Sequence, residues 1–248
     1  MKDAKVEPVG TGEAQRIAER YERRKVRGGA SAPFEPTTPH LLMMAQERER
    51  ALAHWIRLSG IHPSASVLEV GCGQGGNLAQ LIRLGFQPSV LTGVELLQDR
   101  AVRARELLPS SVKIICGDAL NFNPADQQFD VVLAATVFSS ILDGAFQAQL
   151  ALHMWDLLRP GGQVLVYDFT VNNPWNPDVR GVPFRLIRRM FPHGKSQMRR
   201  VTLAPPIARV CTALHPVLYT ACNAIPLLRS HVLVSIRKPL NAESTSGA

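Results

Sequence analysis

The segment Val67-Leu68-Glu69-Val70-Gly71-Cys72-Gly73-Gln74-Gly75-Gly76-Asn77-Leu78 constrains this chain more than any other. An apolar strand runs into a glycine-rich turn, and the turn runs into a helix. Gly71, Gly73 and Gly76 satisfy G-x-G-x-x-G, a spacing that permits a tight turn and close approach of a ligand to the backbone. The helix that follows offers unpaired N–H groups to an anion. Glu69 stands two residues before the first glycine, and Glu95 closes the next apolar run, 20 residues after Gly75. Together they predict a site for a nucleoside-bearing ligand.

The rhythm around this turn sets the fold class. Strand-like apolar runs fall at 66–70, 90–94, 112–116, 130–135 and 163–169, with helical stretches between them at about 76–84, 98–107 and 144–158. Strands alternating with helices give crossover units and a mostly parallel sheet. The runs are continuously apolar, which predicts strands covered by helices on both faces. Upstream, residues 12–27 read as a polar helix stopped by Gly28-Gly29, residues 30–39 hold three prolines and read as a linker, and 40–58 read as an amphipathic helix. Downstream, Asn172-Asn173-Pro174-Trp175-Asn176-Pro177-Asp178 reads as a turn-rich loop and 182–191 as a short basic helix. Two more strands are expected at 197–203 and 231–237, with an apolar helical insertion between them at about 204–228. The expected organisation is a helical lid or cap over 1–62, an α/β domain over 63–240 and a polar, disordered tail over 241–248.

Composition narrows the partners. The net charge is +8, with basic clusters near Arg20–Arg27 and Arg185–Arg200, which favours acidic partners or simply solvated helix faces. The four cysteines form no CxxC pair, so a reduced, cytoplasmic state is expected. The N-terminus lacks an apolar signal region. No apolar run reaches the roughly 18 residues of a membrane span. The nearest, 204–228, is broken by Arg209, His215, Asn223 and four prolines. No His/Asp cluster has metal-ligand spacing, and no metal is expected.

The glycine turn and Glu95 alone fit NAD and S-adenosylmethionine alike. Three features separate them. Glu69 suits a ligand amino group and would repel a pyrophosphate. Cys116-Gly117-Asp118-Ala119-Leu120 follows the third strand, where a carboxylate can accept from an adenine amino group. Leu158-Arg159-Pro160-Gly161-Gly162 forms a turn ahead of the fifth strand. With these motifs the chain resembles the class I S-adenosylmethionine-dependent methyltransferases over roughly residues 65–170.

The resemblance implies a doubly wound, Rossmann-like, seven-stranded, mostly parallel sheet with one antiparallel strand. It implies S-adenosylmethionine as cofactor and S-adenosylhomocysteine as product. Gly71, Gly73 and Gly75 would line the methionine part, with Cys72 and Asn77 in the same set. Glu69 would hold the amino group through water, Glu95 the ribose beside Leu96, and Asp118 and Ala119 the adenine. Thr136 would lie near the sulfonium.

Methyl transfer asks the protein to align acceptor, methyl and sulfur, and to remove a proton from a hydroxyl acceptor. Asp168, at the carboxyl end of the fifth strand, is the first candidate for a base, or else a cap of the following loop. Its neighbour Tyr167 faces the other way by strand alternation, and His40 and His193 are further candidates. Tyr21, in a stretch expected to fold over the cofactor, and Asn172, Asn173 and Arg180 are candidates for holding the acceptor. The insertion reads as a cover over the pocket or as a peripheral membrane contact.

The late loop and the N-terminal arrangement are similar to bacterial methyltransferases of glycan and secondary-metabolite pathways, which implies O-methylation of a small hydroxylated molecule or glycan. A nucleic-acid methyltransferase is the first alternative, favoured by charge but lacking an Asn-Pro-Pro-Tyr tetrad at Ala134-Ala135-Thr136-Val137. An NAD-dependent oxidoreductase and a non-catalytic adenosylmethionine-binding protein are the others.

Overall fold

The computed structural model describes residues 12–28, 37–124 and 127–240, with side chains described for all of these but 25–28. The expected tails at 1–11 and 241–248 and most of the 30–39 linker lie outside these residues. The described strands are β1 (Val67–Val70), β2 (Leu91–Glu95), β3 (Lys113–Cys116), β4 (Phe129–Ala135), β5 (Leu158–Phe169), β6 (Lys195–Leu203) and β7 (Arg229–Arg237). They form one sheet in the order β3-β2-β1-β4-β5-β7-β6. Neighbouring pairs are parallel except at β7, which runs antiparallel to both β5 and β6. This is the Rossmann-like arrangement expected, with one antiparallel strand.

Strand alternation divides the core in two. Leu68 and Val70 of β1 join Val132, Ala134, Val164 and Val166 on one face, packed against α5 (Gly144–Asp156) and α6 (Phe184–Met190). Val67, Val131, Leu133 and Leu165 point the other way, toward α2 (Pro39–Ser59), α3 (Gly76–Arg83) and α4 (Gln98–Leu107). Central β1 is buried along its whole length, as its apolar run requires. Each fully buried leucine there, Leu68 or Leu91, contributes roughly 1.5–3 kcal/mol through area removed from water. Edge strand β3 departs from the doubly covered pattern, because it has one neighbour and leaves Ile115 partly exposed.

The Arg159–Gly162 turn is absorbed into the first residues of β5. A register shift in the β4–β5 pairing, between Phe129 and Val131, takes up the irregularity. The 204–228 insertion is a hairpin of α7 (Pro205–Leu214) and α8 (Pro216–Asn223) followed by a short 3-10 turn at Pro226–Leu228. Its inner residues Ala208, Cys211 and Tyr219 pack on Leu203 of β6 and on Met43 and Met44 of α2.

The strand order reverses between β1 and β4. In such sheets the carboxyl ends on either side of that reversal leave a crevice where ligands bind. The residues leaving β1, β2 and β4 all converge there, and α1 (Glu13–Gly28) lies against it.

Candidate active site

The crevice is a cavity of about 580 Å³, within the range usual for small-molecule sites. Its floor is the glycine turn. Gly71 adopts φ +65°, and a Cβ there would stand 2.8 Å from Val137 Cγ2 on the opposite wall. Only glycine meets both demands, the left-handed backbone and the close approach. Gly75 also has positive φ (+84°), but its missing Cβ faces Leu108 Cδ1 at 2.6 Å. Gly75 therefore lets the turn pack on the end of α4 and does not line the cavity, contrary to its expected role. Gly71, Gly73, Gly76 and Cys72 do line it. Burial raises the pKa of the Cys72 thiol, so it stands there as a neutral group.

Two acids from different strands hold the turn and the helix after it. Glu95 ends β2, with its carboxylate accepting from Gly73 N at 2.7 Å and from Leu97 N at 3.0 Å, and it faces the cavity. Glu69, one residue before the end of β1, points to the α2–α3 face and is completely buried. Its Oε1 accepts from Asn77 Nδ2 at 2.5 Å, while its Oε2 has no partner. Burial pushes its pKa up to about 8, against the hydrogen bond from Asn77 and the charge of Arg48, which act to lower it. Asn77 and Arg48 line the cavity in front of it. An unpartnered carboxylate oxygen behind these two groups is a costly arrangement that a cationic ligand group relieves.

At the far end, Asp118 caps a 3-10 turn by accepting from Leu120 N at 3.0 Å. Asp118, Ala119 and Leu96 line the cavity together with Phe146 and Leu150 of α5. They make an apolar slot with one carboxylate at its edge. Thr136 leaves β4 at φ +56°, a conformation uncommon for a β-branched residue and one that clusters at functional sites. It lines the cavity.

Helix α1 forms the remaining wall through Ala14, Ile17 and Tyr21. Polar ties hold it. Glu13 accepts from Leu142 N at 3.1 Å, Arg20 donates to Ser140 O at 3.1 Å and to Glu13 at 2.5 Å, and Arg24 donates to Asp178 O at 2.8 Å. Burial would raise the pKa of Glu13, but the donors Arg16, Arg20 and Leu142 N outweigh it and hold it low. The Tyr21 ring lies under two guanidinium groups, Arg24 at 4.7 Å and Arg100 at 5.1 Å. Its hydroxyl meets Ser140 Oγ at 3.4 Å.

None of the three expected catalytic side chains lines the cavity. Asp168 lies on the α5 face of the sheet, where its buried carboxylate accepts from Ser139 N and Phe169 N, each at 3.0 Å. Burial lifts its pKa to about 6 against those hydrogen bonds. It fixes the 3-10 turn Phe138–Ser140, which carries Ser140 into the cavity. Tyr167 points to the opposite face, bonded to Thr202 Oγ1 at 2.9 Å and stacked on His231. His40 is half-buried on α2, and the charge of nearby Arg209 adds to burial in lowering its pKa. His193 is exposed.

The acceptor candidates divide similarly. Tyr21 is in the wall. Asn172 accepts from Gly181 N and Asn173 from Trp175 N, so both side chains build the loop that carries them. The Arg180 amide donates to Ser139 O at 2.9 Å, and none of these three residues lines the cavity. The 204–228 hairpin contributes no lining residue and is not a cover.

Arg48, Arg100, Ser140 and Phe146 were not legible as site residues. Arg48 sits in the run Gln46-Glu47-Arg48-Glu49-Arg50, which reads as the wet side of a helix.

A doubly wound sheet with a glycine turn after β1, an acid ending β2 and an acid just past β3 defines the class I S-adenosylmethionine-dependent methyltransferase fold. Residues 67–162 match the family model described as a methyltransferase domain. Among relatives, 2-methyl-6-phytyl-1,4-hydroquinone methyltransferase of Synechocystis is 34% identical over 137 residues, covering 54% of this chain and 39% of that protein. Phthiotriol/phenolphthiotriol dimycocerosates methyltransferase 1 of Mycobacterium ulcerans is 35% identical over 156 residues, covering 61% and 52%. The matches thus span about half or less of these relatives. Among solved structures, the N-methyltransferase NodS of Bradyrhizobium japonicum, in complex with S-adenosylhomocysteine, aligns with TM-score 0.63 at 16% identity over 89% of this chain and 98% of that one. The [4+2]-cyclase SpnF aligns with TM-score 0.64 at 14% identity over 95% and 100%. At these identities the likeness is one of fold.

Proposed function

We propose that this protein is an S-adenosylmethionine-dependent methyltransferase that methylates a hydroxyl of a small molecule or glycan. The observation that carries the reading is the buried, half-unpartnered Glu69, which does not itself line the cavity but lies behind Asn77 and Arg48 that do, with Glu95 and Asp118 further along that lining. The donor set suits an adenosyl amino acid. Glu69 and Asn77 would hold its amino group, and the Arg48 guanidinium its carboxylate. Glu95 spends one lone pair per oxygen on Gly73 and Leu97 and keeps others for ribose hydroxyls. Asp118 Oδ2 would take the adenine amino group, with Ala119, Phe146 and Leu150 against the ring.

When bound, the cofactor supplies a methyl group already activated on a sulfonium. The chain's own work is positioning and exclusion of water. The α1 wall covers one side of the cavity, and the Tyr21–Ser140 hydroxyl pair offers the acceptor a hydrogen-bonding anchor beside apolar Ile17 and Val137. The acidic lining residues Glu95 and Asp118 are both engaged by backbone N–H groups, so the reading rests on alignment more than on a dedicated base.

Two of the relatives, a hydroquinone methyltransferase and a phthiotriol/phenolphthiotriol dimycocerosates methyltransferase, support a hydroxylated small molecule over nucleic acid. Calorimetric titration with S-adenosylhomocysteine and with NAD tests the cofactor, with affinity expected for the first alone. Transfer of a labelled methyl group to a panel of quinols, polyols, sugars and bulk RNA tests the acceptor. Absence of S-adenosylhomocysteine binding overturns the whole reading. Labelling of RNA alone overturns the acceptor class.

A further inference from the structure

The α7–α8 hairpin leaves an apolar face with no described residue upon it. Its inner side is fixed by Tyr219 and Cys211 against β6 and α2. Its outer side exposes Val210, Leu214, Val217, Leu218, Ile225 and Leu227, of which Leu214 is 73% and Leu227 84% exposed. Six large apolar side chains are thus exposed together on two short helices and the turn after them, and concentrated apolar exposure of this kind marks interaction sites.

Charge says what kind. From Val210 to Leu228 there is no Asp, Glu, Lys or Arg, and Arg209 and Arg229 bracket the stretch. Over residues 179–242 the chain has 11 Lys and Arg and no Asp or Glu. Arg200 and Arg229 are tied together at the base of the hairpin, each donating to the other's carbonyl, at 3.5 and 2.9 Å. Arg209 is exposed on α7. An acid-free apolar stretch with Arg209 exposed at its start matches the boundary of an anionic bilayer, where acyl chains meet negative headgroups. A second copy of this chain would bring exposed Arg209 against the same basic region with no acid from residues 179–242 to offset it, while Arg229 already lies 4.0 Å from Glu47. No described helix is long and apolar enough to cross a membrane, so the contact is with one leaflet.

We propose that the α7–α8 hairpin docks this protein on the surface of an anionic lipid bilayer, burying Leu214, Val217 and Leu227 at the headgroup boundary. The hairpin packs on α2, the helix that carries Arg48 into the cavity, so docking holds the catalytic domain close to lipid-dissolved acceptors. The surface itself does not depend on which reaction the cavity performs.

The test is flotation of the full chain with phosphatidylcholine vesicles, with and without phosphatidylglycerol, at low and high salt. Co-flotation is expected with phosphatidylglycerol vesicles and should weaken as salt rises. The triple substitution Leu214→Glu, Val217→Glu, Leu227→Glu should lower vesicle binding about tenfold or more. Arg209→Gln should lower it about fivefold, since one basic residue near an anionic surface is worth about 1 kcal/mol. All these side chains are exposed and outside the cavity, so the thermal melt and S-adenosylhomocysteine affinity should match those of the parent. Absence of binding to anionic vesicles overturns the proposal, as does a triple variant that floats like the parent. A parent dimer that the triple variant dissociates, seen by sedimentation, also overturns it and assigns the face to a second copy.

Discussion

Substituting Glu69 by Gln should change the pH dependence of stability in a way no other residue of the site can imitate. The carboxyl is fully buried, and burial raises its pKa from the ordinary 4.5 to about 8. The folded protein therefore keeps this proton up to about pH 8, whereas the unfolded chain loses it near 4.5. The favourable contribution is complete below pH 4.5 and is lost as pH rises to about 8. The shift corresponds to a loss of about 2–5 kcal/mol across that window, the lower figure allowing for relaxation around the charge. In Glu69→Gln the amide oxygen would still accept from Asn77, and the buried amide N–H groups would cost about 1–3 kcal/mol at every pH. The variant thus starts lower but should lack the decline. Urea unfolding at several values between pH 5 and 9 measures the difference between the two curves, which cancels Asp168 and every other titrating group. Cofactor binding extends the test: pairing an ammonium with Glu69 should release about one proton at pH 7. Calorimetry in buffers of different ionisation enthalpy reads that release, which the variant should not show. Parallel stability curves for the two proteins would refute the placement of Glu69 as a buried, protonated acid.

Gly71→Ala must enter the left-handed region at about 1–2 kcal/mol and displace Val137, so the melting temperature should fall and S-adenosylhomocysteine affinity should drop about tenfold. Asp168→Asn should cost about 1–3 kcal/mol in denaturant unfolding through its lost acceptor toward Ser139 N, while turnover per folded molecule should stay within about threefold. A larger loss of turnover at unchanged cofactor affinity would return Asp168 to the chemistry. Tyr21→Ala removes two cation–π contacts worth about 0.5–1 kcal/mol each, so amides of α1 should exchange faster and cofactor affinity should fall about three- to tenfold. Tyr21→Phe should retain both properties.

The sheet was legible because its central strands are buried on two faces and are therefore written as short, largely apolar runs. Val67–Val70, Leu91–Val94 and Val131–Ala134 leave little choice. Glu69 and Glu95 were legible for the opposite reason, as acids placed within or at the end of such runs. Asp168 obeyed the same rule, yet alternation puts it beneath the Phe138–Ser140 turn and away from the cavity. Position along a strand is visible in a sequence, whereas the shape of the loop above it is not. Arg48 and Arg100 come from helices whose charged residues look alike whether they meet water or ligand. Gly75 belonged to the right motif and serves packing against Leu108. Asn172 and Asn173 have the chemistry to bind a polyol and use it on their own turns.

The wall formed by α1 packs Ile17 on the core, and it is also fastened to Ser140, Leu142 and Asp178 by ion pairs and hydrogen bonds. A door hung on charges opens by different rules from one sealed by oil. Salt screens the exposed Arg23–Asp178 pair, and acid, by protonating Glu13 as pH falls through its lowered pKa, removes the acceptor that both Arg20 and Leu142 share. The sheet beneath, cemented by apolar packing, is indifferent to the first of these. Ionic strength and acid can therefore loosen this wall by a route that leaves the apolar scaffold beneath it in place, so the strength of the wall and the durability of the fold answer to different conditions.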